Sequence, residues 1–171
     1  MTSDNELLHF VGIDPSLTGT GVCVLNKDAE VQTEKLITST PKFTIEERYT
    51  KIMSELSFVW NIVRLQNVFI EGLSFGSRGQ SMLELAGLHY MIRYTMHTKE
   101  VPYQVIPPSS LKKFITGKGN AKKEMMLLHT FKKFNVEYSE NNMCDAYCLA
   151  RHALDTYIRG QENATVKLCS D

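Results

Sequence analysis

Long hydrophobic runs are missing from this 171-residue chain. No apolar stretch approaches the ~20 residues a membrane-spanning helix needs, so no spanning helix and no membrane partner are expected. Net charge is missing too. The 19 basic and 19 acidic side chains cancel, so any nucleic-acid role must come from local charge. Cysteine is sparse: Cys23, Cys144, Cys148 and Cys169 show no zinc-ribbon spacing. Reduced thiols of a cytoplasmic protein are expected. The opening MTSDNELLHF holds acids and no basic n-region, unlike a secretory signal. Repeats, low-complexity tracts and Ser/Gly linkers are absent. What is there is a 43% hydrophobic share, enough to build a core. The length suits one domain. We assign residues 7–159 to it and 160–171 to a polar, mobile tail.

Periodicity gives an α/β order. Residues 8–14 (LHFVGID) read as a buried strand ending in a carboxylate, 21–25 as a second strand and 31–38 as a third. The short connections predict an antiparallel meander. Tyr49, Ile52, Met53, Leu56, Trp60 and Val63 recur at helical spacing over 44–65. Residues 67–71 (NVFIE) form a fourth strand, again ending in a carboxylate, and 81–97 a second helix, in which His89 reads as an ordinary helix residue. A fifth strand over 103–106 stops at Pro107 and Pro108. A brief helix over 111–114, a Gly-rich loop at 117–120 and a helix over 121–134 follow. Asn141 or Asn142 caps a last helix with Ala146, Leu149, Ala150, Ala153 and Leu154 at i, i+3, i+4 spacing. The expectation is a five-stranded mixed sheet, its first three strands antiparallel, flanked by helices.

Asp14 ends the first strand, Glu71 ends the fourth, and Asp145 lies in the first turn of the last helix. If strands one and four are parallel neighbours, both acids emerge at one carboxyl edge, where ligand sites of open α/β sheets lie. Each acid alone is ordinary: a turn starter, a solvated strand end, a helix-dipole partner. Three together repel unless one is protonated or a cation is bound. A hard divalent ion suits such a set, and two can stabilise both the attacking and the leaving oxygen of a phosphodiester displacement. Local charge agrees. Residues 112–133 hold seven lysines and one acid, whereas 137–145 hold three acids and no base. Lys112, Lys113, Lys118, Lys122 and Lys123 flank a Gly-x-Gly loop and a helix start, which suits phosphate.

These residues resemble RuvC-type Holliday junction resolvases. Residues 12–21 (GIDPSLTGTG) look like the family's first motif and 69–71 (FIE) like its second. Residues 108–112 (PSSLK) with 116–123 (TGKGNAKK) are similar to its basic loop and helix, and 142–146 (NMCDA) with Leu149 and Ala150 to its closing acidic motif. Small size and neutral charge are similar to the bacteriophage branch. The resemblance implies an RNase H-like fold, a homodimer, Mg²⁺ with Mn²⁺ as substitute, and paired symmetric nicks in branched DNA in the cytoplasm of a bacterial or phage-infected cell. It carries over Asp14, Glu71 and Asp145 as metal ligands, and Lys112 and Lys123 as basic residues near the scissile phosphate or the junction strands. Asn142 departs from the pattern: the family has Asp or His there, and an amide oxygen brings no charge. Glu140 is the other group able to complete that metal site.

Phe75 and Arg78, on the Gly-bounded loop after Glu71, are candidates for stacking on or gripping opened DNA. Gly87 and Ala86 permit a close helix approach, and the resemblance puts the dimer interface there. Cys144, Cys148 and His152 share a helix face; buried thiols explain them better than zinc. Two rival readings are an RNase H-type nuclease of broader range and a non-catalytic branched-DNA binder with a degenerate site.

Overall fold

The computed structural model describes residues 8–62, 65–74 and 79–168, with residues 164–168 described as backbone only. Five strands, β1 (His9–Asp14), β2 (Gly19–Asn26), β3 (Val31–Thr38), β4 (Leu65–Glu71) and β5 (Tyr103–Ile106), form one sheet in the order β3-β2-β1-β4-β5. β1, β2 and β3 pair antiparallel, as the short turns predicted, while β4 runs parallel to both β1 and β5. The helices are α1 (Ile45–Leu56), α2 (Gln80–Thr98), α3 (Pro108–Thr116), α4 (Lys123–Phe134) and α5 (Asn141–Leu168).

The sheet divides two cores. Strand side chains alternate between faces, so Val11 and Ile13 of β1 join Val68 and Ile70 of β4 against Leu88, Ile92 and Met96 of α2. Phe10 and Phe69 point the other way, into the core built with Leu111, Met126 and the α5 residues Ala146, Leu149, Ala150 and Ala153. By the same alternation Asp14, four residues after Phe10, and Glu71, two after Phe69, stand on the α5 face. Two strand glycines let α5 lie against that face. A Cβ on Gly12 would collide with the Ala146 carbonyl and the Ala150 amide, and one on Gly21 with the Asn142 carbonyl.

Several boundaries differ from the periodic reading. The first helix stops at Leu56 instead of 65. It starts from a Thr44–Glu47 capping box, and the Ser57 N–H bonds the Ser54 carbonyl at 3.2 Å, tightening the last turn. A 3-10 turn over Val59–Asn61 then carries Val59 and Trp60 onto the sheet before β4. α3 is longer than the brief helix expected and ends at Gly117, whose φ of 79° suits a residue without a Cβ. α5 continues to Leu168, through most of the segment assigned to a polar tail.

Candidate active site

Parallel pairing of Ile13 with Ile70 sets Asp14 beside Glu71 at the carboxyl edge of the sheet. α5, resting on Gly12 and Gly21, brings Asp145 to them. One carboxylate oxygen from each of Asp14, Glu71 and Asp145 lies within 4.8 Å of the others, and among the described residues this is the only cluster of three His, Cys, Asp or Glu side chains that could hold a metal ion. Asp14 and Asp145 are buried and Glu71 is half-buried.

The electrostatics follow from crowding like charges where water is scarce. Burial pushes the Asp14 carboxyl well above its usual range, and the charges of Glu71 and Asp145 push the same way. Burial and then Glu71 raise Asp145 to about 7. Burial raises Glu71 as well, although its hydrogen bond with Asp14 opposes this. Lys123 pulls all three down, and Lys112 does so for Glu71 and Asp145. Both lysines line the cleft of about 230 Å³ beside the carboxylates, with Pro15, Gly72 and His89. A pocket of oxygen ligands that resists carrying three negative charges, with ammonium groups on its rim, fits a hard divalent cation and a phosphate.

This has a consequence for pH. A carboxyl whose folded pKa lies above its unfolded value adds stability below the unfolded pKa and loses it as pH rises through the folded one. For Asp145 that window runs from 3.8 to about 7. Metal-free protein is therefore expected to lose stability from these groups as pH rises toward neutrality, whereas a divalent ion needs the ionised forms. Thermal melts with EDTA and with Mg²⁺ check it: Mg²⁺ should raise Tm by several degrees at pH 8 and by little at pH 5. Equal shifts at both pH values would count against it.

The other sequence candidates fall in different places. Asn142 sits in the first turn of α5, and its Nδ2–H donates to the Gly19 carbonyl at 2.6 Å, which ties the amide to the start of β2 and leaves Oδ1 as its one ligand atom. Glu140 is exposed and outside the carboxylate cluster. Lys113, Lys118 and Lys122 are exposed and are not among the residues lining the cleft. Phe75 and Arg78 lie outside the described residues. Gly87 meets the Tyr49 ring of α1, whose hydroxyl donates to the Glu84 carbonyl, so its close approach serves packing within the chain. Cys144 and Cys148 are buried and share hydrogen bonds with Thr130, while His152 stacks on Phe114 at 4.3 Å.

Two residues escaped the sequence reading. His89 is buried, its Nε2 lies 3.0 Å from the Glu71 carbonyl oxygen, and it lines the cleft. Periodicity alone does not mark it, because it sits beside the apolar stripe of α2. Arg48 donates to the Leu17 carbonyl at 2.7 Å and to Ser39 Oγ at 3.0 Å. It thereby fixes the turn after Asp14, which is also closed by a hydrogen bond of 2.7 Å from the Thr20 hydroxyl to the Ser16 carbonyl.

A family model described as crossover junction endodeoxyribonuclease RuvC matches residues 10–152. Among curated proteins, the crossover junction endodeoxyribonuclease RuvC of Ehrlichia ruminantium (strain Gardel) is 29% identical over 151 residues, covering 84% of this chain and 94% of that protein. The protein of the same description from Chlamydia caviae is 24% identical over 149 residues, covering 82% and 89%. The solved structure of Thermus thermophilus RuvC superposes with a TM-score of 0.74 at 19% identity, covering 88% of this chain and 96% of that one. The T. thermophilus RuvC complex with a Holliday junction substrate gives 0.71 at 19% identity, covering 84% and 90%.

Proposed function

This chain belongs to the RuvC family of crossover junction endodeoxyribonucleases, and on that premise we propose how its own residues resolve a four-way DNA junction. Asp14, Glu71 and Asp145 hold Mg²⁺, with Mn²⁺ as a substitute. Asn142 adds only its uncharged Oδ1, its Nδ2 staying on Gly19. When bound, the metal offsets the carboxylate charge and stabilises negative charge gathering on the phosphate oxygens during hydrolysis. Lys112 and Lys123, on the rim of the cleft, hold the scissile phosphate over the carboxylates. Lys113, Lys118 and Lys122 track the neighbouring backbone, and Phe75 and Arg78 engage the opened crossover. His89 and Arg48 keep the ends of β4 and β1 in place. The observation that carries this reading is the convergence of three carboxylates from distant segments.

A junction presents two symmetry-related phosphates, so two copies of the chain are required for paired nicks. The exposed apolar side chains of α2 support a homodimer: Leu83, Tyr90 and Tyr94, at i, i+7 and i+11 on one face, are 68%, 61% and 69% exposed. No helix among the described residues is long and apolar enough to cross a membrane. The cytoplasm of a bacterial or phage-infected cell, where branched DNA arises, is the proposed place of action.

The deciding experiment incubates the protein with a labelled four-way junction and a matching linear duplex, with and without Mg²⁺. Symmetric nicks in the junction alone, requiring metal, are expected. Equal cutting of duplex or of an RNA–DNA hybrid would favour the broader nuclease, and binding without nicks the degenerate binder. Sedimentation velocity tests the dimer: Leu83→Glu with Tyr94→Glu should yield a folded monomer that cannot make paired nicks.

A further inference from the structure

The two sides of α2 carry different parts of the molecule. Leu88, Ile92 and Met96, at i, i+4 and i+8, are buried against β1 and β4. Leu83, Tyr90 and Tyr94 point the opposite way, into solvent. Beside the buried stripe, Leu85 and His89 line the carboxylate cleft. His89 is only 2% exposed, and its Nε2 lies 3.0 Å from the Glu71 carbonyl oxygen. A carbonyl has no proton to give, so Nε2–H is the donor. A side chain of α2 thus holds the backbone of a residue whose carboxylate belongs to the triad.

The triad residues are seated differently. Asp145 rides on α5, whose backbone rests directly on Gly12 and Gly21. Glu71 ends β4, and the next residue, Gly72, donates its N–H to the Ile106 carbonyl at 2.8 Å. From the other side Glu71 is held by His89, so its placement follows that of α2. That helix meets the sheet through long side chains, and its outer face is apolar as well. A helix apolar on opposite sides is fully seated only when both are covered.

We infer that metal binding and dimerisation are coupled through α2, with His89 as the positioning residue that joins them. A second copy of the chain, covering Leu83, Tyr90 and Tyr94, fixes the helix, and the His89 hydrogen bond passes that constraint to Glu71. The inference rests on the resolvase reading above, with its homodimer and its metal triad. Such coupling is reciprocal. The three carboxyls repel when ionised, and a cation offsets the repulsion. The cation therefore favours the placement of Glu71 that the covered helix holds, and it tightens the dimer in turn. A lone chain binds metal weakly, which suppresses unpaired nicks in DNA.

The test uses full-length protein without DNA. Sedimentation equilibrium gives the dimer dissociation constant in EDTA and in saturating Mg²⁺. Calorimetry gives the Mg²⁺ affinity of wild type and of the Leu83→Glu, Tyr94→Glu monomer. Mg²⁺ should bind the dimer about fivefold tighter than the monomer, the low end of typical coupling. With one site in each copy, the dimer dissociation constant should fall about 25-fold in Mg²⁺. His89→Phe and His89→Leu remove the donor and should abolish both effects while leaving a dimer. His89→Gln, whose amide N–H can reach the same carbonyl, should keep most of them. A merely structural His89 would lower Tm in these variants and leave the coupling intact. The inference is overturned if the wild-type constant is the same in EDTA and Mg²⁺, or if the monomer binds Mg²⁺ as tightly as the dimer. Coupling undiminished in His89→Phe or His89→Leu also overturns it. For a wild-type dimer too tight to dissociate, the Mg²⁺ affinity of the monomer decides. A dimer that binds Mg²⁺ without coupling removes this inference alone. Wild type that is monomeric at every concentration, or that binds no Mg²⁺, removes that part of the resolvase reading, and this inference with it.

Discussion

Asp14→Asn should reduce junction cleavage in Mg²⁺ by at least about 10³-fold, roughly 4 kcal/mol at 1.36 kcal/mol per tenfold. Asp14 is 7% exposed and lies against both partner carboxylates, so it is the most deeply placed charge of the set. The amide keeps the shape and removes the charge that attracts the cation. The fold should not suffer. In the metal-free protein burial and the charges of Glu71 and Asp145 oppose ionisation of Asp14, so a neutral amide removes the cost of ionising it as pH rises. Melts in EDTA at pH 8 should therefore show the variant at least as stable as wild type, and the stabilisation by Mg²⁺ should disappear. Junction binding, which depends on the lysines, should stay close to wild type. Single-turnover cleavage reads the first effect, calorimetry the second. Nicking within tenfold of wild type would contradict the proposed role of the triad.

Gly12→Ala should be the most damaging one-carbon change in the core of the fold. The residue lies mid-strand with no unusual backbone angle, so conformational freedom is not the issue. The added Cβ meets the Ala146 carbonyl, the Ala150 amide and Leu149 Cβ, the last at 2.8 Å. Two of these are backbone atoms of α5 and cannot rotate away, so the helix must lift from the sheet. Overpacking against backbone should cost roughly 3 kcal/mol or more. Lifting α5 also carries Asp145 away from Asp14 and Glu71, so Mg²⁺ stabilisation should fall with the melting point. Gly87→Ala is the natural comparison. There the Cβ meets only the flexible end of Tyr49, and a smaller loss is expected. Denaturant titration of both variants decides it. A Gly12→Ala protein within about 0.5 kcal/mol of wild type would show that α5 does not rest on that glycine.

Strand and helix order came from local pattern, because alternation and 3.6-residue spacing are written residue by residue. β3 and β5 were read to their observed ends since turn residues and prolines bound them. The end of α1 was not, because Val59 and Trp60 keep helical spacing while packing from a 3-10 turn. The extension of α5 past Gly160 was missed because composition there is polar and nothing local stops the helix.

The sequence by itself determined the kind of chemistry: three acids at two strand ends and a helix start, lysines clustered after Pro108, and motif order. Only the tertiary structure decided that those acids share one small volume. Parallel β1–β4 pairing and the seat of α5 on two glycines bring them there, and both are contacts between residues far apart along the chain. It also decided which lysines face the carboxylates, that Asn142 Nδ2 is committed to Gly19, and that His89 stands at the cleft. Such facts depend on which way a side chain points once distant segments have packed, and no local period encodes that direction.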